Sequence, residues 1–159
     1  MDMYIGTKLL KAEPAFKCFS TGKMYLENEI DKQEARNKNF AEGYKVEYED
    51  GYISWSPEKT FEKSYLKVDE NNTLSSGVSV SSKMVDDFIV DYDVFTKKNK
   101  ITIVIATLKN GFTIVESSAC VDPENYDEKI GAEICKERIK NQVWNHLGFL
   151  LQTAYKGIK

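Results

Sequence analysis

The stretch Ile101-Thr-Ile-Val-Ile-Ala-Thr-Leu-Lys-Asn-Gly-Phe-Thr-Ile-Val-Glu-Ser-Ser-Ala-Cys-Val-Asp-Pro123 decides the fold. Ile101, Ile103 and Ile105 alternate with smaller residues at the period of a strand, Lys109-Asn-Gly111 has turn chemistry, and Phe112 to Cys120 is β-compatible again. Upstream, Ile89 to Phe95 places Val90, Tyr92 and Val94 on one face, and Lys97-Lys-Asn-Lys100 turns that strand into Ile101. Three strands joined by short turns predict an antiparallel meander. Asp122-Pro123 then pairs an N-cap residue with the proline favoured at a first helical position, and Glu124, Asp127 and Glu128 suit the positive end of a helix dipole. A helical region is expected to about Tyr155. The fold class is therefore α+β: an antiparallel β-meander followed by C-terminal helices, with a small N-terminal β-hairpin and helix module.

The C-terminal helical region holds a phase problem. At about 100° per residue, Ile130, Ile134, Cys135 and Ile139 share one side of the first four turns. Val143, Trp144, Leu147, Leu150, Leu151 and Ala154 form a second stripe rotated by roughly 150°. One straight helix with two such stripes cannot bury both against one sheet. Either the helix breaks near Asn141, or its second half packs against another surface, for which a second subunit is the natural candidate. Lys129, Lys136 and Lys140 fall opposite the first stripe, with Glu133 and Glu137 beside them, as a solvated face or as an anion-binding one.

Outward toward the N-terminus, Ser82 is positioned to cap a short helix through Phe88. Asp69 to Val80 is polar and weakly periodic and reads as a linker. Gly43 to Ser56 reads as a hairpin with Tyr44, Val46 and Tyr48 on one face, Asp50-Gly51 at the turn, and Tyr52 to Trp55 as the return strand. Ser56-Pro57 has helix-start chemistry, and Phe61 with Tyr65 can lay that helix on the hairpin. Tyr4 to Lys11 suggests a short strand ended before Pro14, and Glu27 to Glu42 a solvated loop or marginal helix. The expected organisation is a βββα module over 1–67, a linker over 68–80 and a sheet-plus-helix domain over 81–159.

A chain of 159 residues that is 42% hydrophobic can bury a genuine core. A net charge of −3 argues against a binder of long nucleic acid, which needs an excess of Lys and Arg. Cys18, Cys120 and Cys135 lack the spacing of metal or redox pairs and read as free thiols of a reducing cytosol. No signal-like start and no apolar run of about 18 residues occurs, so a cytoplasmic protein without a membrane partner is expected. The common phosphate-loop, metalloprotease and hydrolase motifs are absent. His146, the single histidine, has no second ligand near it in sequence and reads as an exposed or locally hydrogen-bonded side chain.

Tyr92, Phe95, Phe112 and Tyr126 supply aromatic surface in the meander or at its junction with the helix. Beside Lys or Arg, such a face can stack a base and hold its phosphates, although core packing explains each ring taken singly. Asp91 and Asp93 share a strand face, and with Glu116 they are the acids that a hydrolase would have to use.

The ordered runs Leu108-Lys-Asn-Gly-Phe-Thr-Ile-Val115, Glu116-Ser-Ser-Ala-Cys-Val121, Asp122-Pro-Glu-Asn-Tyr126 and Ile130-Gly-Ala-Glu-Ile134, followed by Trp144 and Leu147-Gly-Phe-Leu150, resemble the phage gp49/gene-66-like family of small proteins. The resemblance covers about Phe88 to Leu151 and extends to the Thoeris anti-defence proteins of the first type. It implies a phage protein that sequesters cyclic ADP-ribose isomers without cleaving them; some relatives also hold cyclic oligonucleotides. It further implies an antiparallel sheet whose C-terminal helices interlock in a dimer or larger assembly. Many members carry basic residues directly after the Ile-Gly step and four positions later, where this chain has Ala132 and Lys136.

With the resemblance, the candidate ligand-binding set is Tyr92, Phe112, Asn125, Tyr126, Lys129, Lys136, Arg138 and Lys140. Lys129, Arg138 and Lys140 stand in for the charge missing at Ala132. The pocket is expected where Phe112, Tyr126 and the lysine face of one chain approach another. No catalytic residue, metal or cofactor is expected; the partners are a small cyclic nucleotide and further copies of the chain. The competing readings are an accessory protein that binds a host protein and a cyclic-nucleotide hydrolase.

Overall fold

The computed structural model describes residues 1–37, 39–69 and 71–158, with only the backbone of Lys32, Arg36 and Asn37. Lys38, Glu70 and Lys159, which fall in the expected polar segment, linker and C-terminal domain, lie outside the described residues. The chain divides into two compact units, Met1–Lys67 and Val68–Lys159.

In the first unit, β1 (Lys11–Cys18), β2 (Met24–Leu26), β3 (Phe40–Glu47) and β4 (Ile53–Pro57) form an antiparallel sheet in the order β2-β1-β3-β4. The Asp50-Gly51 turn forms as expected: Gly51 takes φ +81°, its amide donates to the Tyr48 carbonyl, and the Tyr52 amide donates to the Asp50 carboxylate. Three expectations are corrected. The first strand begins at Lys11 and runs through Pro14, because β2 pairs with β1 only over Ala15 to Lys17 and leaves that edge open at the proline. In the segment expected as a solvated loop or marginal helix, a short helix α1 (Lys32–Asn37) does form, but the end of the segment is taken by the start of β3. Ser56 lies in β4 and caps nothing; α2 (Glu58–Ser64) starts after Pro57 without a side-chain cap. Phe61 nevertheless stacks between Tyr44, at 4.3 Å, and Tyr65, at 4.7 Å, which holds α2 on the sheet.

The second unit carries α3 (Ser82–Phe88), β5 (Ile89–Lys97), β6 (Ile101–Leu108), β7 (Thr113–Ala119), a 3₁₀ turn (Pro123–Asn125) and α4 (Glu128–Lys156). The meander is present as β5-β6-β7, fully antiparallel. Lys98 and Asn99 take positive φ at its first turn and Gly111 at its second, the backbone geometry that tight hairpins require. The cap of α3 is Ser81, one residue before the expected Ser82, and its hydroxyl accepts from the Met84 amide. Asp122 and Pro123 start the 3₁₀ turn only; the long helix is capped by Asp127, whose carboxylate accepts from the amides of Lys129 and Ile130. In the segment expected as a linker, Val68 and Val80 pack against this unit's core, and Ser81 donates to Asp69.

Helix α4 does not break near Asn141. It runs unbroken for 29 residues and buries Gly131, Ala132, Cys135, Ile139, Val143 and Leu147. Successive buried positions four apart drift about 40° per step around a helix of 3.6 residues per turn. From Gly131 to Leu147 that drift adds up to about 160°, so one continuous stripe joins the two directions that the sequence separates. Ile130 and Ile134, expected in the core, are 62% and 37% exposed, because small residues form the floor of the helix in their place.

The reason is a close approach. A Cβ at Gly131 would lie 2.3 Å from Thr102 Oγ1 and 2.8 Å from Thr102 Cβ, so only glycine fits there. The strand presents Thr102, Val104, Ala106 and Leu108 to the helix, all buried, while Ile101, Ile103 and Ile105 turn to the other face of the sheet and are half-buried. Met84 and Val85 of α3 and Ile114 of β7 complete the core.

Candidate functional site

A cluster of polar side chains in the second unit lies where α3, β5 and the middle of α4 meet. Tyr92 reaches it because of an irregularity at the start of β5. Ile89 pairs with Leu108 and Asp91 with Thr107, which leaves Val90 as an extra residue, 63% exposed. Val90 therefore does not share a face with Tyr92 and Val94 as expected. Tyr92 pairs with Ala106 and Val94 with Val104, both on the helix side of the sheet.

Over the ring of Tyr92 stands Lys136, its Nζ 5.6 Å from the centroid. One turn further along α4, the Lys140 ammonium lies 2.7 Å from Asp86 of α3, while Lys136 pairs at 3.0 Å with Glu133. The Tyr92 hydroxyl is closed off from solvent and has no hydrogen-bond partner among the described residues. Burial pushes this phenol above its usual pKa; Lys140 draws it back, and Asp86 and Glu133 add to the rise. The hydrogen bond to Asp86 in turn holds Lys140 above the ordinary lysine range. Two cations, two carboxylates and one unpartnered phenol thus share one spot.

Of the eight candidate residues, Tyr92, Lys136 and Lys140 are brought together. The others are placed elsewhere. Asn125 and Tyr126 line a cavity of about 130 Å³ at the junction of β7 and α4, with Cys120, Ile130 and Ile134 on its other walls. The Tyr126 hydroxyl is already engaged, 2.8 Å from Thr96 Oγ1 and 2.9 Å from buried Thr102 Oγ1, so it ties the crossover to the sheet. Arg138 points to the β7 side, where Nη1 donates to the Ser117 carbonyl at 3.0 Å and lies 3.9 Å from Glu116. Lys129 is exposed in the first turn of α4. Phe112 stands at the far turn, edge-on to His146 at 5.9 Å.

Asp86 is the member of the cluster that the sequence does not single out. Its partner is 54 residues away in the chain, and only the packing of α3 on α4 joins them. Glu133 was legible as the i, i+3 neighbour of Lys136. Asp91 and Asp93 pair with Thr107 and Ile105 on the open side of the sheet, away from Tyr92. The three cysteines are unpaired. Among the described residues no group of three or more His, Cys, Asp or Glu side chains could hold a metal, and no helix is long and apolar enough to cross a membrane.

A second concavity, about 350 Å³, runs between the segment Ser76 to Val80 and the last turns of α4, where Trp144, Leu151 and Tyr155 form its apolar wall. Trp144, Phe149, Leu150 and Tyr155 are each more than two-fifths exposed and lie on several sides of the helix.

Residues 80–155 match the family described as phage protein (N4 Gp49/phage Sf6 gene 66) family. The match falls wholly within the second unit, begins just before α3 and ends one residue short of the end of α4. It supports the family resemblance of the meander and helix. No curated protein and no solved structure matches the chain.

Proposed function

We propose that this phage-family protein binds a small cyclic nucleotide signal, of the cyclic ADP-ribose type, and holds it without cleavage, so that a bacterial defence enzyme's message does not reach its receptor. The observation that carries the reading is the cluster of Tyr92, Lys136 and Lys140: a half-buried aromatic side chain with a hydroxyl in need of a partner, set beneath the Lys136 ammonium, with Lys140 one turn further along the same helix. An aromatic face stacks a base or caps a ribose, and two lysines answer the charge of a diphosphate. The match of residues 80–155 to a phage protein family and the resemblance to Thoeris anti-defence proteins supply the biological setting.

The reading includes self-association in the cytoplasm of the bacterial host. A helix end that is apolar on several sides, as α4 is at Trp144, Phe149, Leu150 and Tyr155, is stable in water when a partner surface covers it. A second copy would bring walls to the surface beside Tyr92.

The test is direct. The protein is incubated with a panel of cyclic ADP-ribose isomers and cyclic oligonucleotides, freed of unbound ligand, and then heat-denatured. Intact nucleotide in the supernatant of the wild type, reduced at least tenfold in Lys136→Met, is the expected result. Release of a degraded nucleotide would replace sequestration by hydrolysis, and retention of nothing by wild type would sink the reading.

A further inference from the structure

The charges around Tyr92 cancel. Lys136 and Lys140 each already hold a carboxylate, Glu133 and Asp86, and both acids are close enough to act on the Tyr92 phenol. An anion entering this site therefore meets two lysines that are already paired; it has to take them from internal partners. We propose that Asp86 and Glu133 act as built-in competitors, keeping Lys140 and Lys136 in place beside Tyr92 and releasing them only to a ligand that presents at least two negative charges. The inference rests on the nucleotide-binding reading given above.

Geometry supports an exchange of partners. Both ion pairs are on the surface, with side-chain exposures of 32% and 74% for Lys136 and Glu133 and of 48% and 53% for Lys140 and Asp86. Exposed pairs of this kind are weak and open easily, so the acids can swing into water when an anion replaces them. The Tyr92 hydroxyl has no such alternative: it lacks a hydrogen-bond partner while the pairs are closed. Partner exchange would give it one, since a phosphate oxygen reached by Lys140 or Lys136 can also accept from the phenol. A singly charged ligand could replace only one carboxylate and would leave the second pair closed, so the arrangement selects for multiple charge.

The consequence is opposite to that of an ordinary binding residue, because removing the acids strengthens binding. In equilibrium dialysis of the full chain against cyclic ADP-ribose, with inorganic pyrophosphate and inorganic phosphate as probes of charge, Asp86→Asn and Glu133→Gln should each tighten pyrophosphate and cyclic ADP-ribose about two- to five-fold. They should narrow the preference for pyrophosphate over phosphate. Asp86→Glu, which keeps the charge, should stay near wild type, and Asp93→Asn, which removes a charge on the open side of the sheet, should change little. Thermal melts confirm that each variant is folded. Wild-type binding that is unmoved or weakened by both Asp86→Asn and Glu133→Gln overturns the competitor role and leaves the nucleotide reading standing. Absence of binding in the wild type and in every variant overturns the nucleotide reading itself.

Discussion

The two faces of the β5-β6-β7 sheet invert a familiar rule. Along most of β6 the covered side carries the smaller residues, Thr102, Val104 and Ala106 before Leu108, while the larger Ile101, Ile103 and Ile105 lie half-buried on the side that α4 does not cover. Size is the wrong guide because burial depends on what stands opposite. Against Thr102 stands Gly131, and against its carbonyl stands Cys135, whose thiol lies 3.9 Å away. The helix sits so close that bulk on either surface would hold it off, and close packing of small groups replaces the interdigitation of large ones.

Mutations can break or sharpen that contrast. The largest effect is expected at Ile139, fully buried in the middle of the α4 stripe: Ile139→Ala leaves a cavity and should cost about 2–5 kcal/mol in chemical denaturation. Next is Gly131→Ala. In an isolated helix this change is favourable by about 1 kcal/mol, but here the added methyl enters the space of Thr102, and overpacking should make the net change a loss of about 1–3 kcal/mol. A gain in melting temperature for Gly131→Ala would show that the close approach is not a real constraint. The smallest effect is expected on the open face, where Ile103→Thr keeps a β-branched side chain and should change stability by at most about 1 kcal/mol. A loss as large as that at Ile139 would mean that something covers that face in solution.

The same contrast explains what could be read from the sequence. Turns were legible at Asp50-Gly51, Lys97 to Lys100 and Lys109 to Gly111, since the chemistry that permits positive φ is carried by the turn residues themselves. The existence and order of the meander strands followed. The buried stripe of α4 was legible in part: Cys135, Ile139, Val143 and Leu147 stand out by hydrophobicity and spacing, but the same ranking picks Ile130 and Ile134 and passes over Gly131 and Ala132, which are the ones in contact at the start of the helix. Helix starts were displaced for a related reason: Asp122 and Asp127 are both competent caps, and the choice of Asp127 for the long helix depends on the 3₁₀ turn between them.

For the candidate site the limit was distance along the chain. Lys136 and Lys140 share a helix face by spacing alone, and Tyr92 was available as an aromatic of the adjoining strand. That Asp86 would meet Lys140 depends on how α3 lies against α4, which no local pattern encodes. Arg138 and Phe112 were placed with the lysines by chemistry; within one chain Arg138 lies against β7 and Phe112 at the far turn.

Val90 has a larger part than its exposure suggests. As the extra residue between two paired neighbours it offsets β5 by half a pleat, so that Ile89 and Tyr92, three apart, share a side of the sheet that strict alternation would deny them. Were Val90 paired in the ladder, strict alternation from Ile89 would turn the rest of the strand inside out: Asp91 and Asp93 would look toward Lys136 and Lys140, and Tyr92 would look away, whereas deleting the valine would leave Ile89 and Tyr92 on the helix side. The candidate site owes its aromatic floor to a counting error built into the strand.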